Sequence, residues 1–527
     1  MPKQLAFRSI CALSCALAVG ISAFAADRVK TGSGVVEGMT AAKSHIHIYK
    51  GIPYAAPPVG ALRWEAPHPV KHWTGVRQAT QFGARCMQGR LFADMVFRDS
   101  GPSEDCLYLN VWTLAASPRA RLPVMVWIYG GGFQAGASSE PRQDGKYLAQ
   151  KGVVVVSMNY RLGIFGFMAY PGLKEDGHDA SGDYGLLDQV AALRWVRRNI
   201  AAFGGDPHKV TIFGESAGSF SVSALVASPL ARGLFERAIG ESGAMLSVPG
   251  RPEQTLQKAE AVAQKFGASI GANSLAALRA VPAQALLDDV LKDRKNGFGF
   301  WPDIDGYFLP ESATSIYHAG KQNHVALLAG WNQNEGGIGG GKPPATVQSW
   351  TARAHALFPN KAGEFLKVFP AADDKQARQS ADAFSADMFI ALGTWEWVQA
   401  QQATGESPVY RYHFEQAPPM KKGVPSRGAY HSSEIEYVFE TLASKDLPWR
   451  PGDWKVSHTM SSYWTNFAKS GNPNGKGLPH WPAYNVQDDD QVMHLRAGHV
   501  HAAPATDAAQ MEFLEKNAPA KGSLGRQ

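Results

Sequence analysis

Residues 124–129 (VMVWIY) and 153–159 (VVVVSMN) are nearly unbroken apolar runs. Runs of this length, without a polar face, read as strands buried on both sides of a sheet. A third such run, 209–216 (KVTIFGES), passes directly into AGSFSVSALVA, which reads as a helix. Residues 325–330 (VALLAG) and 408–414 (PVYRYHF) predict further strands. Between the second and third strands, segment 185–203 carries Leu186, Val190, Leu193, Val196 and Ile200 on one stripe, the pattern of an amphipathic helix. Gly204-Gly205-Asp206-Pro207 stops it, with glycine at the cap and proline beyond. Helical patterns also occupy 253–266, 275–290, 376–402 and 453–469, and the first hundred residues read as short strands between Pro/Gly turns. Segment 336–344 (GGIGGGKPP) is the most glycine-dense stretch and is expected to be a mobile loop. Alternating strands and helices predict an α/β fold, with a mostly parallel central sheet flanked by helices. With no repeat, heptad run or long linker, residues 26–527 read as one domain with helical insertions forming a cap.

The N-terminus does not fit this pattern. Lys3 and Arg8 precede an apolar run at 10–24, which is followed by Ala23-Phe24-Ala25 at its end. That is the layout of a cleaved signal peptide over residues 1–25, and it predicts a periplasmic or secreted protein starting near Ala26. No other window approaches the length of a spanning helix, so no integral membrane segment is expected.

Composition narrows the class. The chain of 527 residues is 45% hydrophobic and 19% charged, which excludes disordered, collagenous and disulfide-knot proteins. Its 52 Lys+Arg against 46 Asp+Glu give a net charge of +6 without a basic block, so nucleic acid is not an expected partner. Loss of the leader removes Cys11 and Cys15 and leaves Cys86 and Cys106. In an oxidising compartment these two are expected to bridge.

Gly214-Glu215-Ser216-Ala217-Gly218 is a G-x-S-x-G string between a buried strand and a helix. In that setting a sharp turn lifts a serine hydroxyl above the sheet, which makes Ser216 a candidate nucleophile. Tyr129-Gly130-Gly131-Gly132-Phe133 follows the strand at 124–129, and its glycines let backbone N–H groups approach a substrate oxygen unobstructed. Gly131, Gly132 and Ala217 N–H are the candidate oxyanion donors. The serine needs a base and an acid, in the chain order Ser, acid, His. Of ten later histidines, His431 follows a predicted strand through a loop. Glu335 lies just past a strand end, where catalytic side chains sit in open α/β sheets. Asp303 and Asp305 compete with it. His494, His499 and His501 cluster in sequence, but no carboxylate accompanies them, so no metal is expected.

The chain resembles the type-B carboxylesterases, which include the cholinesterases. The matching stretches are YKGIPYAAPPVGALRW, SEDCLYLNVW, VMVWIYGGGF, NYRLGIFGF, GDYGLLDQVAALRWVRRNIAAFGGDP, TIFGESAGS, DIDGYFLP, GWNQNEG, HSSEIEYVF and FAKSGNPNG. The resemblance implies an α/β-hydrolase fold and a Ser216–Glu335–His431 triad. It implies oxyanion donors at Gly131, Gly132 and Ala217, a Cys86–Cys106 disulfide, and ion pairs Arg63–Glu104 and Arg161–Asp188. It sets Glu215 and Ser242 near the site in supporting roles. It implies hydrolysis of small-molecule esters without metal or organic cofactor, and it leaves the oligomeric state open.

Two other classes share these features. An amidase or peptidase would use the same triad, and a cholinesterase-like binding module would lack the nucleophile that Ser216 supplies. Candidate pocket walls are Phe92, Met95 and Phe97 between the cysteines, Phe133, Phe298, Phe300, Trp301 and segment 336–344. Aromatic walls favour esters with aromatic or medium-sized groups over long lipid chains.

Overall fold

The computed structural model describes residues 27–174, 177–246, 253–292, 299–336, 345–485 and 490–517. The expected signal peptide, Phe298 and all but the first residue of the glycine-dense stretch lie outside the described residues. Among the described residues the main sheet has eleven strands. These are β1 (Met39–Thr40), β2 (His47–Pro53), β3 (Tyr108–Thr113), β4 (Leu122–Ile128), β5 (Val154–Met158) and β6 (Gly205–Glu215). They continue with β7 (Arg237–Glu241), β8 (Ala326–Asn332), β9 (Val409–Phe414), β10 (Gln491–Leu495) and β11 (His501–Pro504). Their spatial order is β1-β2-β3-β5-β4-β6-β7-β8-β9-β10-β11. From β5 through β4 to β10 every neighbour is parallel. Antiparallel strands close the sheet at both ends. This is the α/β-hydrolase architecture.

The apolar runs behave as expected of central strands. All of β5 and β8 is buried, as is β4 from Val124 onward. Helix α1 (Tyr184–Asn199) links β5 to β6 across β4, α2 (Ala217–Ala227) links the neighbours β6 and β7, and every residue of α2 is buried. The α1 chain tightens to a 3₁₀ turn at Ile200–Phe203 and ends at Gly204, whose φ of 80° is the left-handed cap that glycine accepts without strain.

Two predicted helices are each split. The segment read as 275–290 is two helices, Leu275–Ala280 and Ala283–Lys292, because Pro282 lacks the N–H a continuous helix needs and restricts Val281 before it. The segment read as 376–402 is Asp374–Ala386 and α3 (Leu392–Thr404), joined by a π-helical turn at Asp387–Ala391. The helices from Leu256–Ser269 to Ala313–His318 follow β7, those from Val347–Leu357 to α3 follow β8, and the helix Pro451–Ser470 follows β9.

Two buried ion pairs lock the loops beside the sheet. Arg161 donates to both oxygens of Asp188 at 2.8 Å, and its own N–H donates to the same carboxylate. Arg63 grips Glu104 at 2.6 and 2.8 Å and donates to the Val281 carbonyl, tying the first insertion down. Losing one member of such a pair strands a buried charge, at about 3–5 kcal/mol.

Candidate active site

Ser216 stands between β6 and α2 with φ 54° and ψ −123°, outside the regions most side chains adopt. Such a conformation costs on the order of 1–3 kcal/mol and persists only when its surroundings enforce it. They do so here by close packing. A Cβ on Gly218 would lie 2.0 Å from the Ile128 carbonyl oxygen, and one on Gly214 would lie 2.6 Å from the Gly218 backbone. Ser216 N–H donates to the Glu241 carbonyl at the end of β7, pinning the turn to the sheet.

The other groups arrive from the same edge. Gly130 to Gly132 follow β4, Ser242 follows β7, Glu335 follows β8, and His431 lies in the loop after β9. This is where open α/β sheets gather ligands. The Glu335 and His431 loops are stitched together: Asn334 N–H donates to the Ala429 carbonyl, and Asn332 Nδ2 donates to the Tyr430 carbonyl at 2.9 Å.

The side chains meet in a line. His431 Nε2 lies 2.9 Å from Ser216 Oγ, and His431 Nδ1 lies 2.5 Å from Glu335 Oε2. Glu335 is fully buried, and its other oxygen accepts from Ser242 Oγ at 2.6 Å and Asn332 N–H at 2.7 Å. With the carboxylate accepting from Nδ1–H, Nε2 offers its lone pair to the serine proton. Ser242 therefore orients the acid.

Glu215, the residue before the serine, is also buried and lies 3.3 Å from His431 Nε2. Burial pushes its carboxyl up, since the charged form is poorly solvated there. For His431, burial opposes protonation, but the charges of Glu215 and Glu335 outweigh it and hold the imidazole above its ordinary range. An acid limb near the reference value of about 6.5 is what an unperturbed histidine would give; this site raises it.

Gly131 and Gly132 adopt φ 116° and 63°. A Cβ on Gly131 would meet the Ala135 carbonyl at 2.1 Å, so only glycine fits that bend. Neither N–H donates to a protein acceptor among the described residues. Ala217 N–H opens α2, one of the first-turn donors that a helix cannot satisfy internally. The glycine loop lies against the elbow, a Cβ on Gly130 standing 2.9 Å from the Ser216 Cβ.

Asp305 is occupied elsewhere, accepting from Tyr307, Phe308 and Leu309 N–H in its own turn. Asp303 is buried beside Gly182, away from the histidine line. Of the expected walls, Phe133 and Phe300 are core residues, packed on Phe167 and Phe266. Trp301 is half-buried against Phe133. Phe92, Met95 and Phe97 line a cavity of about 340 Å³ between the disulfide loop and Ala135. Cys86 and Cys106 are bonded, and Gln88 beside them exchanges two hydrogen bonds with Gly136. The disulfide loop is thereby fastened to the glycine loop.

Two neighbours escape the sequence reading. Phe389 packs edge-on to the His431 ring at 5.5 Å from within the π-helical turn. Glu434, three residues past His431, accepts from Asn332 Nδ2 and is buried. The acidic residue at the head of the string EIEYVF is the available sign for Glu434. For Phe389 there was none, since a helical period does not reveal an inserted residue.

Residues 25–514 match the Carboxylesterase family. The fumonisin B1 esterase of Sphingopyxis macrogoltabida is 37% identical over 488 residues, which cover 89% of this chain and 86% of that protein. The para-nitrobenzyl esterase of Bacillus subtilis is 36% identical over 506 residues, covering 93% and 99%. A solved PNB esterase superimposes with a TM-score of 0.79 at 34% identity, covering 93% of this chain and 99% of that one. The chain belongs to the carboxylesterase family.

Proposed function

We propose that this chain hydrolyses medium-sized or aromatic carboxylic esters through a covalent acyl-enzyme on Ser216. The observation that carries the reading is the single imidazole, His431, set between Ser216 Oγ and the buried Glu335 carboxylate. As Ser216 Oγ bonds to the ester carbonyl carbon, His431 Nε2 takes its proton. Glu335 holds the ring orientation and stabilises the imidazolium. Gly131, Gly132 and Ala217 N–H hold the tetrahedral oxyanion, each such donor being worth about 3 kcal/mol in the transition state. The carbon–oxygen bond to the alcohol breaks, and His431 returns the proton to the leaving alkoxide. Water then attacks the acyl-serine by the same route, releasing the acid and restoring Ser216. No metal or organic cofactor is required by this route.

Met95 supports the substrate class, since its methyl stands 3.0 Å from where a Cβ on Gly131 would be and so sets an apolar group beside the glycine loop. Export also belongs to the proposal, on the strength of the n-region, apolar run and A-x-A site.

Treatment with a fluorophosphonate tests the nucleophile. One label is expected per chain, on Ser216, and Ser216→Ala should lose both the label and p-nitrophenyl ester hydrolysis while keeping its unfolding temperature. Labelling at another residue, or hydrolysis retained in the alanine variant, would overturn the assignment. Comparing an aryl ester with the anilide of the same acid separates esterase from amidase. A mature N-terminus at Ala26 is expected when the protein is recovered from outside the cytoplasm.

A further inference from the structure

The histidines near the C-terminus lack a carboxylate in sequence, but the fold supplies one. His413 in β9 and His494 in β10 are register partners on adjacent parallel strands, so both rings rise from one sheet face. Glu415 continues the β9 ladder, its N–H donating to the Leu495 carbonyl. Its Oε1 lies 2.6 Å from His494 Nδ1 and 3.3 Å from His413 Nδ1. One ligand atom from each of the three residues falls within 4.8 Å of the others. The imidazoles are buried, at 7% and 5% exposure.

The surroundings orient this cluster. His494 Nε2 lies 3.4 Å from the Pro504 carbonyl in β11, which turns Nδ1 toward Glu415. Metal-ligating histidines are held by such a contact on their other nitrogen. Trp331 packs against the His413 ring from β8, and Arg411 lies over Trp331 while paired with Asp507. The His494 ring stacks on the exposed His501 ring at 5.6 Å, so imidazoles lead from the buried cluster to solvent.

We propose that His413, Glu415 and His494 form a binding site for a divalent transition-metal ion of the zinc type. Two imidazole nitrogens and one carboxylate oxygen are the borderline donor set that such ions prefer. Bonds of about 2.0 Å in tetrahedral geometry separate ligand atoms by roughly 3.3 Å. The His413–Glu415 pair already has that spacing, at 3.3 Å. The His494–Glu415 pair is at hydrogen-bond length and opens as the ion takes the place of the shared proton, which leaves to solvent. The ion clamps β9 to β10 and, through His494, to the strand at His501–Pro504.

The site is separate from the Ser216 centre. Trp331 and Asn332 are consecutive in β8 and so face opposite sides of the sheet. Asn332 reaches Tyr430 and Glu434 beneath His431, whereas Trp331 reaches His413. The ion therefore acts on stability and leaves the ester chemistry alone.

Cobalt(II) is the probe. After dialysis against a chelator, the full-length protein is expected to bind one Co(II) per chain with the intense visible bands of a tetrahedral site. Its unfolding temperature should rise by a few degrees, about what saturating a ligand site gives. Ester hydrolysis should be unchanged with and without the ion. His494→Gln and Glu415→Gln each remove a ligand and should weaken binding by at least the roughly hundredfold that loss of a supporting contact can cost, with fluorophosphonate labelling of Ser216 reporting that they are folded. His499→Ala should bind as the wild type does. Absence of the tetrahedral bands in the wild type, or their persistence in both Gln variants, would overturn the proposal. So would loss of the bands in His499→Ala, which would move the site to the exposed histidines.

Discussion

Glu215 Oε1 lies 3.3 Å from His431 Nε2, the same nitrogen that faces Ser216 Oγ at 2.9 Å. A second carboxyl group thus bears on the reacting atom of the base, besides the one that orients its far side. Both carboxylates favour the imidazolium, and His431 must be neutral to accept the serine proton. The acid limb of kcat/KM is therefore expected above the ordinary histidine value of about 6.5. Glu215→Gln removes one of the two charges, so the limb should move to lower pH, and the variant should keep a larger share of its maximum rate in acid. The pH profile of both enzymes on one uncharged ester measures this. A limb that stays in place would show that Glu215 is neutral where His431 titrates.

Gly218→Ala tests the turn. The added Cβ would lie 2.0 Å from the Ile128 carbonyl oxygen, backbone that belongs to the central strand and cannot retreat cheaply. Overpacking of this kind typically costs 1–3 kcal/mol, and it should also displace Ser216 from His431. A lowered unfolding temperature is expected together with a kcat loss of about a hundredfold, the size expected for a misplacement of about 1 Å. An unchanged kcat would mean that the turn tolerates a side chain.

Ser242→Ala and Glu335→Gln separate orientation from charge. Ser242 is one of two donors to Glu335 Oε1, and Asn332 N–H remains when it is removed. One neutral hydrogen bond is worth about 1 kcal/mol, so a loss of about fivefold in kcat/KM is expected. Glu335→Gln keeps the shape but presents the wrong partner to Nδ1–H, and the loss should approach about ten-thousandfold, as for the equivalent change in a serine protease. Equal losses in the two variants would mean that Ser242 does more than hold the acid.

The legible parts of this molecule are those where local pattern and tertiary role coincide. The strand at 124–129 is apolar because both faces are covered, and the same burial makes it central, next to β6 and Ser216. The elbow is legible because two glycines must flank the serine wherever a strand meets a helix this tightly. His431 was one candidate among ten, because nothing local to a loop histidine records that Asn334 and Ala429 stitch its loop to another. The breaks at Pro282 and at Asp387–Ala391 are hidden in the sequence, because periodicity averages over a proline and over one inserted residue. The carboxylate for the C-terminal histidines was hidden for the same reason as the triad. Glu415 and His494 are far apart in the chain and meet only through strand pairing.

The Cys86–Cys106 bridge should matter for both stability and the size of ester accepted. It spans a sequence separation of 20 residues, and closing such a loop restricts the unfolded chain by about 3 kcal/mol. Within that loop, Phe92, Met95 and Phe97 line the cavity beside Ala135, and the Met95 methyl lies 3.0 Å from where a Cβ on Gly131 would stand. The wall therefore touches the loop that carries two of the oxyanion donors. Gln88 holds that contact through its paired hydrogen bonds to Gly136. Replacing both cysteines with serine is expected to lower the unfolding temperature. It should also raise KM for bulky esters more than it lowers kcat for small ones, because the wall loosens while His431 and Glu335 are anchored elsewhere. A series of p-nitrophenyl esters of increasing acyl size, run on both proteins, reads the two effects apart. A KM that rises equally across the series would assign the loop to general stability, and a kcat that falls for acetate as steeply as for the largest acyl group would place the oxyanion donors under its control.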